Sequence, residues 1–479
     1  MEKNSNTFDV VVMGGGISGS IAAIAAARMG VRTCLVEKTG HLGGTCFALA
    51  NVTPFHNSRG EQVVRGLAQE LVDRCVERGG ARGHLPNAAG IGGSFTPLDP
   101  DAMKLVLFEM AAQAGVELWL HTVMLDTIMN EKRNLVGIRV YNKSGMHELK
   151  AKVVIDATGD ADVAARAGAE FTQDTPEASL NATLLFRVAG VDTDAFIADA
   201  RKSPQKFVLL ADPYLREVKR LDARSVMDKV ADIYDCPYIY LANVVRDYIP
   251  RSDWGEWEVS GDAKDDWGRL RPFASRFSIM PLPHRRDIVT LNVTSVTFDA
   301  TDAAQLSAAE VEGQRQLRVA FDVLRRYIPG FDACFLHSVA PAISIRASRR
   351  IVGGYQLTRA DVEGQERFAD GIARGSYPMS VQSAVQPNVR QHLFVGDGGD
   401  YDIPYRSLVP QKVDVLLAAG RCLSATREAA GSARMGAQCM AYGHAAGVAA
   451  ALAVRDKISP RRVDPIGLRR TLQEQHAIV

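Results

Sequence analysis

Asp9-Val-Val-Val-Met13, Gly14-Gly-Gly16-Ile-Ser-Gly19, an alanine-rich run from Ser20 to Met29, Gly30, and then Val31 to Glu37 form the stretch whose reading decides the fold. Residues 9–13 are apolar and mostly β-branched, as in a parallel strand buried on both faces. The glycine turn leads into a helix over 20–29, which Gly30 stops, and residues 31–36 predict a second strand ending at Glu37. Strand, G-x-G-x-x-G turn, helix, strand and a terminal acid in this order form a dinucleotide-binding unit. Gly14 permits the tight turn, Gly16 lets backbone approach a pyrophosphate, and Gly19 lets helix and strand pack closely. The helix N-terminus, at Ser18 and Gly19, turns free N–H groups and a positive dipole end towards that pyrophosphate. Glu37, followed by Lys38, is placed to accept hydrogen bonds from ribose hydroxyls, and its charge disfavours a 2′-phosphate. The motif alone does not separate NAD from FAD.

Working outward, 479 residues exceed one hydrophobic core, since domains usually hold ~100–200. Hydrophobic residues make up 47% and charged residues 23%, which excludes a largely disordered chain. Lys and Arg number 56 against 55 Asp and Glu, so the net charge of +1 gives no footprint for nucleic acid or an anionic membrane. Seven scattered cysteines without a CxxC resemble neither a disulfide framework nor a zinc site, so a reducing compartment is expected. The first residues lack the basic and apolar regions of a signal peptide, and the apolar runs at 21–27 and 445–454 fall short of the ~20 residues that span a bilayer. These features lead us to expect a soluble, cytoplasmic protein.

Three further segments choose the cofactor. Gly43-Gly44-Thr45 lets the chain pass close to a bulky group. Residues 153–155 predict a strand running into Ala157-Thr158-Gly159-Asp160. Residues 413–419 predict another strand, followed by Gly420-Arg421 and a helix of small residues over 432–447. Glycine costs ~1 kcal/mol against alanine inside a helix, so Gly436, Gly443 and Gly447 imply a helix that approaches something closely. Residues 116–150 alternate in polarity, as in a strand pair or small meander.

On these residues the chain resembles FAD-binding oxidoreductases. Over 9–452 it is similar to a bacterial family known simply as FAD-dependent oxidoreductases, related to the glutathione-reductase and succinate-dehydrogenase flavoproteins. Further carriers of the likeness are Arg346-Ala-Ser-Arg-Arg-Ile-Val-Gly-Gly-Tyr-Gln-Leu-Thr358, Asp361, Tyr377-Pro378, Ile403-Pro-Tyr-Arg-Ser-Leu-Val-Pro410 and Ala419-Gly-Arg-Cys-Leu-Ser-Ala425. The resemblance implies FAD as cofactor and an α/β fold. That fold is a Rossmann-like FAD-binding domain (GR2-type) with an inserted α+β substrate domain. It places the backbone near Val123 against the adenine, Thr158–Asp160 and Gly420-Arg421 beside the cofactor, and Met435-Gly436 at the pyrimidine end of the flavin. Thr45-Cys46 is similar to the disulfide reductases, but Cys46 has no second cysteine nearby, so dithiol chemistry is not expected. Relatives typically read Arg-Glu-Ser-Arg where this chain has Ala347, and carry Asp-x-His where it has Ser380 and Gln382. Its proton chemistry is therefore expected to differ.

The expected domains are 1–181 and 389–455 for FAD, 182–388 for substrate, and a tail over 456–479. Within the insert, residues 276–280 and 287–296 predict strands and 307–327 a helix ending at Ile-Pro-Gly330. Trp254, Trp257 and Trp267 cluster there, a pattern met more often in core or lid packing than in ligand cages. Tyr405 and Arg406, in a proline-bounded loop, are candidates to face substrate, with Arg406 able to clamp a carboxylate. Arg346 and Arg349, at i,i+3 spacing, share that candidacy against a role in domain-interface ion pairs. His56 is a candidate acid or base. No His, Asp or Glu spacing recommends a metal.

The expected activity is hydride transfer to flavin N5 from a small organic substrate, at a C–H bond next to oxygen or nitrogen. Alternatives are reduction of an activated C=C bond, flavin monooxygenation, and a non-catalytic or redox-sensing FAD protein. A carboxylate on the substrate is compatible with the arginines, and homo-oligomerisation stays open.

Overall fold

The computed structural model describes residues 6–45, 49–87, 91–176, 178–207, 217, 220, 222–241, 244–253, 277–382 and 390–479. The tryptophan cluster and Cys46 lie outside these residues. Strand Thr7–Met13 pairs in parallel with Thr33–Val36 on one side and with Gly145–Asp156 on the other, and Glu117–Trp119 extends the sheet beyond Thr33–Val36. The C-terminal strand Leu416–Ala418 adds in parallel to the far half of Gly145–Asp156. The near half of that long strand instead forms the expected meander with Leu135–Asn142 and Val123–Met129. Both chain ends therefore build one sheet.

Helix Ile17–Arg28 packs against a second helix, Gly436–Asp456, and both touch this sheet. A Cβ on Gly443 would collide with the Ser18 carbonyl, and one on Gly447 with the Ala22 carbonyl. The close approach read from the glycines is thus between two helices, rather than between a helix and the cofactor. By length and composition Gly436–Asp456 is apolar enough to cross a membrane, yet it is buried in the protein core. The sequence merges it with the preceding segment, whereas the structure breaks the chain at Arg434-Met435, between helix Arg427–Ala433 and the long helix.

The insert has its own core. An antiparallel sheet runs in the order Ile239–Leu241, Phe277–Leu282, Arg285–Asn292, Phe186–Ala189, Phe335–Val339. Helix Ala303–Tyr327 contributes Leu317, Ala320, Val323 and Leu324 to the core formed with it. That core runs from Ala182 to Ile343, whereas Leu357, Ile372, Ala373 and Met379 pack into the core of the dinucleotide domain. The chain therefore returns to the first domain well before residue 388. Residues 456–479 are likewise no loose tail, because helix Pro465–Glu474 buries Leu468 and Leu472 in that same core.

Candidate active site

The glycine turn takes the shape its sequence requires. Gly14 has φ +102°, a conformation L side chains rarely adopt, and a Cβ on Gly19 would strike the Gly14 carbonyl. At Gly16 a Cβ would meet nothing within 4 Å, so the loop opens onto space there. Gly43 and Gly44 run against this loop: Gly43 N–H donates to Gly15 O at 2.9 Å, and Gly44 approaches the Gly16 Cα. Glu37 accepts from Gly15 N–H at 2.7 Å and from the backbone N–H and hydroxyl of Thr39 at 2.8 and 2.9 Å. A carboxylate offers about four lone-pair sites, so one remains beyond these three. Residues 121 and 122 pair with 39 and 37 through backbone hydrogen bonds, which carries the start of the Val123 strand to the same end of the cradle.

A cavity of about 1030 Å³, its open mouth included, lies between the dinucleotide domain and the insert. The first domain contributes Thr45, Tyr377, Ser380, Arg421, Met435 and Gly436, and the insert contributes Thr183, Tyr238, Met280, Asn292 and Arg346. Met435 caps the 21-residue helix without a side-chain hydrogen bond, leaving that N-terminus aimed at the cavity with its own N–H groups and dipole.

Arg421 reaches over Gly159 and donates from Nη2 to Asp160 Oδ1 at 3.1 Å. Its Nη1 is buried without a hydrogen-bond partner. Asp160 also accepts from Ser348 at 2.6 Å, so the carboxylate holds both neighbours in place. Behind it, Asp156 is fully buried and accepts from Thr158 N–H, the Thr158 hydroxyl and Ala164 N–H at 3.1, 2.7 and 2.9 Å. Burial pushes the Asp156 carboxyl up to about 6 against these opposing hydrogen bonds.

On the cavity wall, Ser380 Oγ lies 3.1 Å from His392 Nδ1. The two residues are register partners on the antiparallel strands Met379–Gln382 and Arg390–Leu393. His392 was missed from sequence. The signal that could have found it is a pair of short strand-like runs flanking residues 383–389, which set 380 opposite 392.

A family model described as FAD dependent oxidoreductase matches residues 9–475. The chain belongs to the FAD-dependent oxidoreductase family. Among curated relatives, this flavoprotein is 30% identical over 169 residues to a digeranylgeranylglycerophospholipid reductase of Thermoplasma volcanium, covering 32% of this chain and 39% of that protein. It is 61% identical over 41 residues to a dihydrolipoyl dehydrogenase of Trypanosoma brucei brucei, 9% of each chain. The matches thus span well under half the length of these relatives. Among solved structures, a p-nitrophenol 4-monooxygenase from Pseudomonas putida superposes with TM-score 0.48 at 12% identity, covering 98% of this chain and 86% of that one.

The FAD-dependent oxidoreductase presents residues that fit its cofactor. The open space at Gly16, the unpartnered Nη1 of Arg421 and the uncapped helix start at Met435-Gly436 are donors and room without protein partners. Gly16, Gly43, Gly44 and Glu37 would line the dinucleotide, Arg421 with Thr158–Asp160 would stand beside it, and Thr45 with Met435-Gly436 would reach the flavin end. The Ser18 hydroxyl donates to Cys439 O at 2.8 Å, tying the two packed helices, and Lys38 is exposed. Val123 is also exposed, at the rim of the cradle.

Of the five catalytic candidates the structure brings Arg346 alone to the cavity wall. Tyr405 is buried, its hydroxyl donating to Pro460 O at 2.8 Å, and so anchors the C-terminal segment. Arg406 forms a two-point pair with Asp370 at 2.9 and 3.1 Å and lies over the Tyr355 ring, while its side chain is 52% exposed. Arg349 binds Asp160 O at 2.8 Å and the Asp162 carboxylate, stitching the insert's return to the sheet. His56 stacks edge-on to His84, and burial holds its imidazole below the usual value. Its Nδ1 is buried without a partner, but it is not among the cavity residues. Tyr405, Arg406 and Arg349 looked functional because their partners lie far away in sequence.

Proposed function

We propose that this oxidoreductase removes a hydride from a C–H bond next to oxygen or nitrogen in a small organic substrate held in the cavity. The observation that carries the reading is Ser380, on the wall that also holds Met435-Gly436, with His392 at 3.1 Å behind it. FAD, when bound, supplies the acceptor for the electron pair. The protein supplies the rest. With His392 Nδ1 as acceptor, Ser380 Oγ takes the hydroxyl or amino proton of the substrate as it passes its own proton to the imidazole. The C–H electrons leave as hydride, the O–H or N–H electrons form the new double bond to carbon, and one proton rests on His392. Tyr238 and Met280 of the insert wall shield the reacting carbon from water.

Reduction of an activated C=C bond is the second reading. The relatives named digeranylgeranylglycerophospholipid reductase favour it, and the same pair would then deliver a proton. Stopped-flow spectra separate the two readings. Bleaching of the bound flavin by an alcohol or amine supports dehydrogenation. Reoxidation of the pre-reduced enzyme by an enoate, without bleaching by any alcohol or amine, overturns it in favour of reduction.

A further inference from the structure

Helix Arg427–Ala433 is seven residues long and carries a glycine inside it, Gly431, where alanine would favour the helix more. The backbone of Ser380 explains that choice. A Cβ on Gly431 would collide with the Ser380 carbonyl and lie 3.0 Å from the Ser380 nitrogen. Both are main-chain atoms, which cannot swing aside as the tip of a flexible side chain can. The strand that carries Ser380 therefore lies against the helix more closely than any side chain at 431 would permit.

The next residue ties down the start of the same wall. Ser432 is fully buried; its hydroxyl donates to the Tyr377 carbonyl and accepts from the Tyr401 hydroxyl at 2.7 Å. Tyr401 is fully buried too, so this chain of hydrogen bonds is closed off from water. Tyr377 and Ser380 line the cavity, and so do Met435 and Gly436, which follow the helix with only Arg434 between. One short helix thus bears on the backbone of Ser380 and runs directly into the flavin end of the cavity. Proton and hydride must leave the same substrate molecule, so the spacing of those two places matters, and a misplacement of about 1 Å costs ~10²-fold in rate.

We propose that Gly431 and Ser432 are positioning residues that set the place of Ser380 relative to His392 and to the flavin end of the cavity. This rests on the reading above, in which Ser380 takes the substrate proton, and it adds the part of the fold that holds Ser380 there. Neither residue lines the cavity. Gly431 acts by having no side chain, and Ser432 acts by holding the Tyr377 carbonyl. A methyl group at 431 pushes Ser380 off the helix and disturbs its 3.1 Å contact with His392 Nδ1. Loss of the Ser432 hydroxyl frees the chain three residues before Ser380.

The test reads the Ser380–His392 hydrogen bond in FAD-loaded, oxidised protein without substrate, so its outcome is separate from that of the flavin-bleaching assay. In protein carrying isotope-labelled histidine, the Nδ1 resonance of His392 is assigned by its loss in His392→Gln. Ser380→Ala removes the hydrogen bond and so sets the full displacement of that resonance. Gly431→Ala is expected to displace it in the same direction by at least half as much, with FAD content unchanged. Combined with Ser380→Ala, it is expected to add nothing, a result that general loosening of the fold would not give. Ser432→Ala is expected to give a smaller displacement in the same direction and covers the case in which Gly431→Ala fails to fold. An unmoved His392 resonance in folded, FAD-loaded Gly431→Ala protein would overturn the proposal. Should that variant not fold, an unmoved resonance in Ser432→Ala would do the same, as would loss of FAD or of folding in both. An unmoved resonance in Ser380→Ala would strike the Ser380–His392 pair itself, and this proposal with it.

Discussion

Ser380 Oγ and His392 Nδ1 face each other at 3.1 Å across a two-stranded hairpin, twelve residues apart in the chain and directly opposed in register. Because the pair moves one proton as a unit, Ser380→Ala and His392→Gln should each slow substrate-driven flavin bleaching by about 10²- to 10⁴-fold. The double variant should be no slower than the worse single one. Stopped-flow traces check this, with FAD content as control. Multiplying effects in the double variant would mean that the two residues act separately.

Arg421 offers a buried, unpartnered Nη1 beside Gly159 and Asp160. Arg421→Ala should raise the FAD dissociation constant by about 10- to 150-fold, and Arg421→Lys by less. Fluorescence titration of deflavinated protein measures it. An unchanged constant in the alanine variant would remove Arg421 from the cofactor site.

Arg406 was one of the catalytic candidates in the sequence, and the structure pairs it with Asp370 instead. Arg406→Ala should therefore leave flavin bleaching within about twofold of wild type. Because the partner Asp370 is buried and keeps only the Arg406 backbone N–H as donor from this pair, the variant should lose about 1–3 kcal/mol of stability. Stopped-flow and urea denaturation together decide this, and a large kinetic loss with normal stability would return Arg406 to the site.

Asp156 gives a pH signature. Burial raises its carboxyl from the usual 3.8 to about 6, so the folded chain holds this proton more tightly than the unfolded chain. Its protonation therefore favours folding. That contribution is present below about pH 4 and is lost as pH rises to about 6, and amounts to about 3 kcal/mol. Asp156→Asn should remove it. The stability gap between variant and wild type should then shift with pH across that window in urea titrations. A gap constant from pH 4 to 7 would contradict the assignment.

Gly14, Gly16 and Gly19 were legible because each answers a local demand of backbone: a positive φ, an opening, a close approach. Glu37 was legible for a related reason, since the strand that carries it is short and adjacent. The Ser380–His392 pair was hidden because its two members meet only through strand register. Tyr405 and Arg406 misled because their partners, Pro460 and Asp370, lie 55 and 36 residues away. The end of the insert was misplaced for a similar reason. Residues 351–379 carry no dinucleotide motif, yet they bury Ile351, Leu357 and Met379 in the first domain. Gly443 and Gly447 announced a close approach, but nothing in their spacing said that the neighbour would be Ser18 and Ala22.

That helix contact has a consequence for the birth of the protein. Helix Ile17–Arg28, with its glycine turn, emerges early from a ribosome, but the surface it packs against, Gly436–Asp456, emerges some four hundred residues later. Strand Leu416–Ala418, which completes the sheet on that side, is also made late. The insert, with a core of its own from Ala182 to Ile343, has everything it needs well before then. Folding thus need not follow the order of synthesis. The middle can fold first, while helix Ile17–Arg28 keeps one side bare until residues 436–456 have been made.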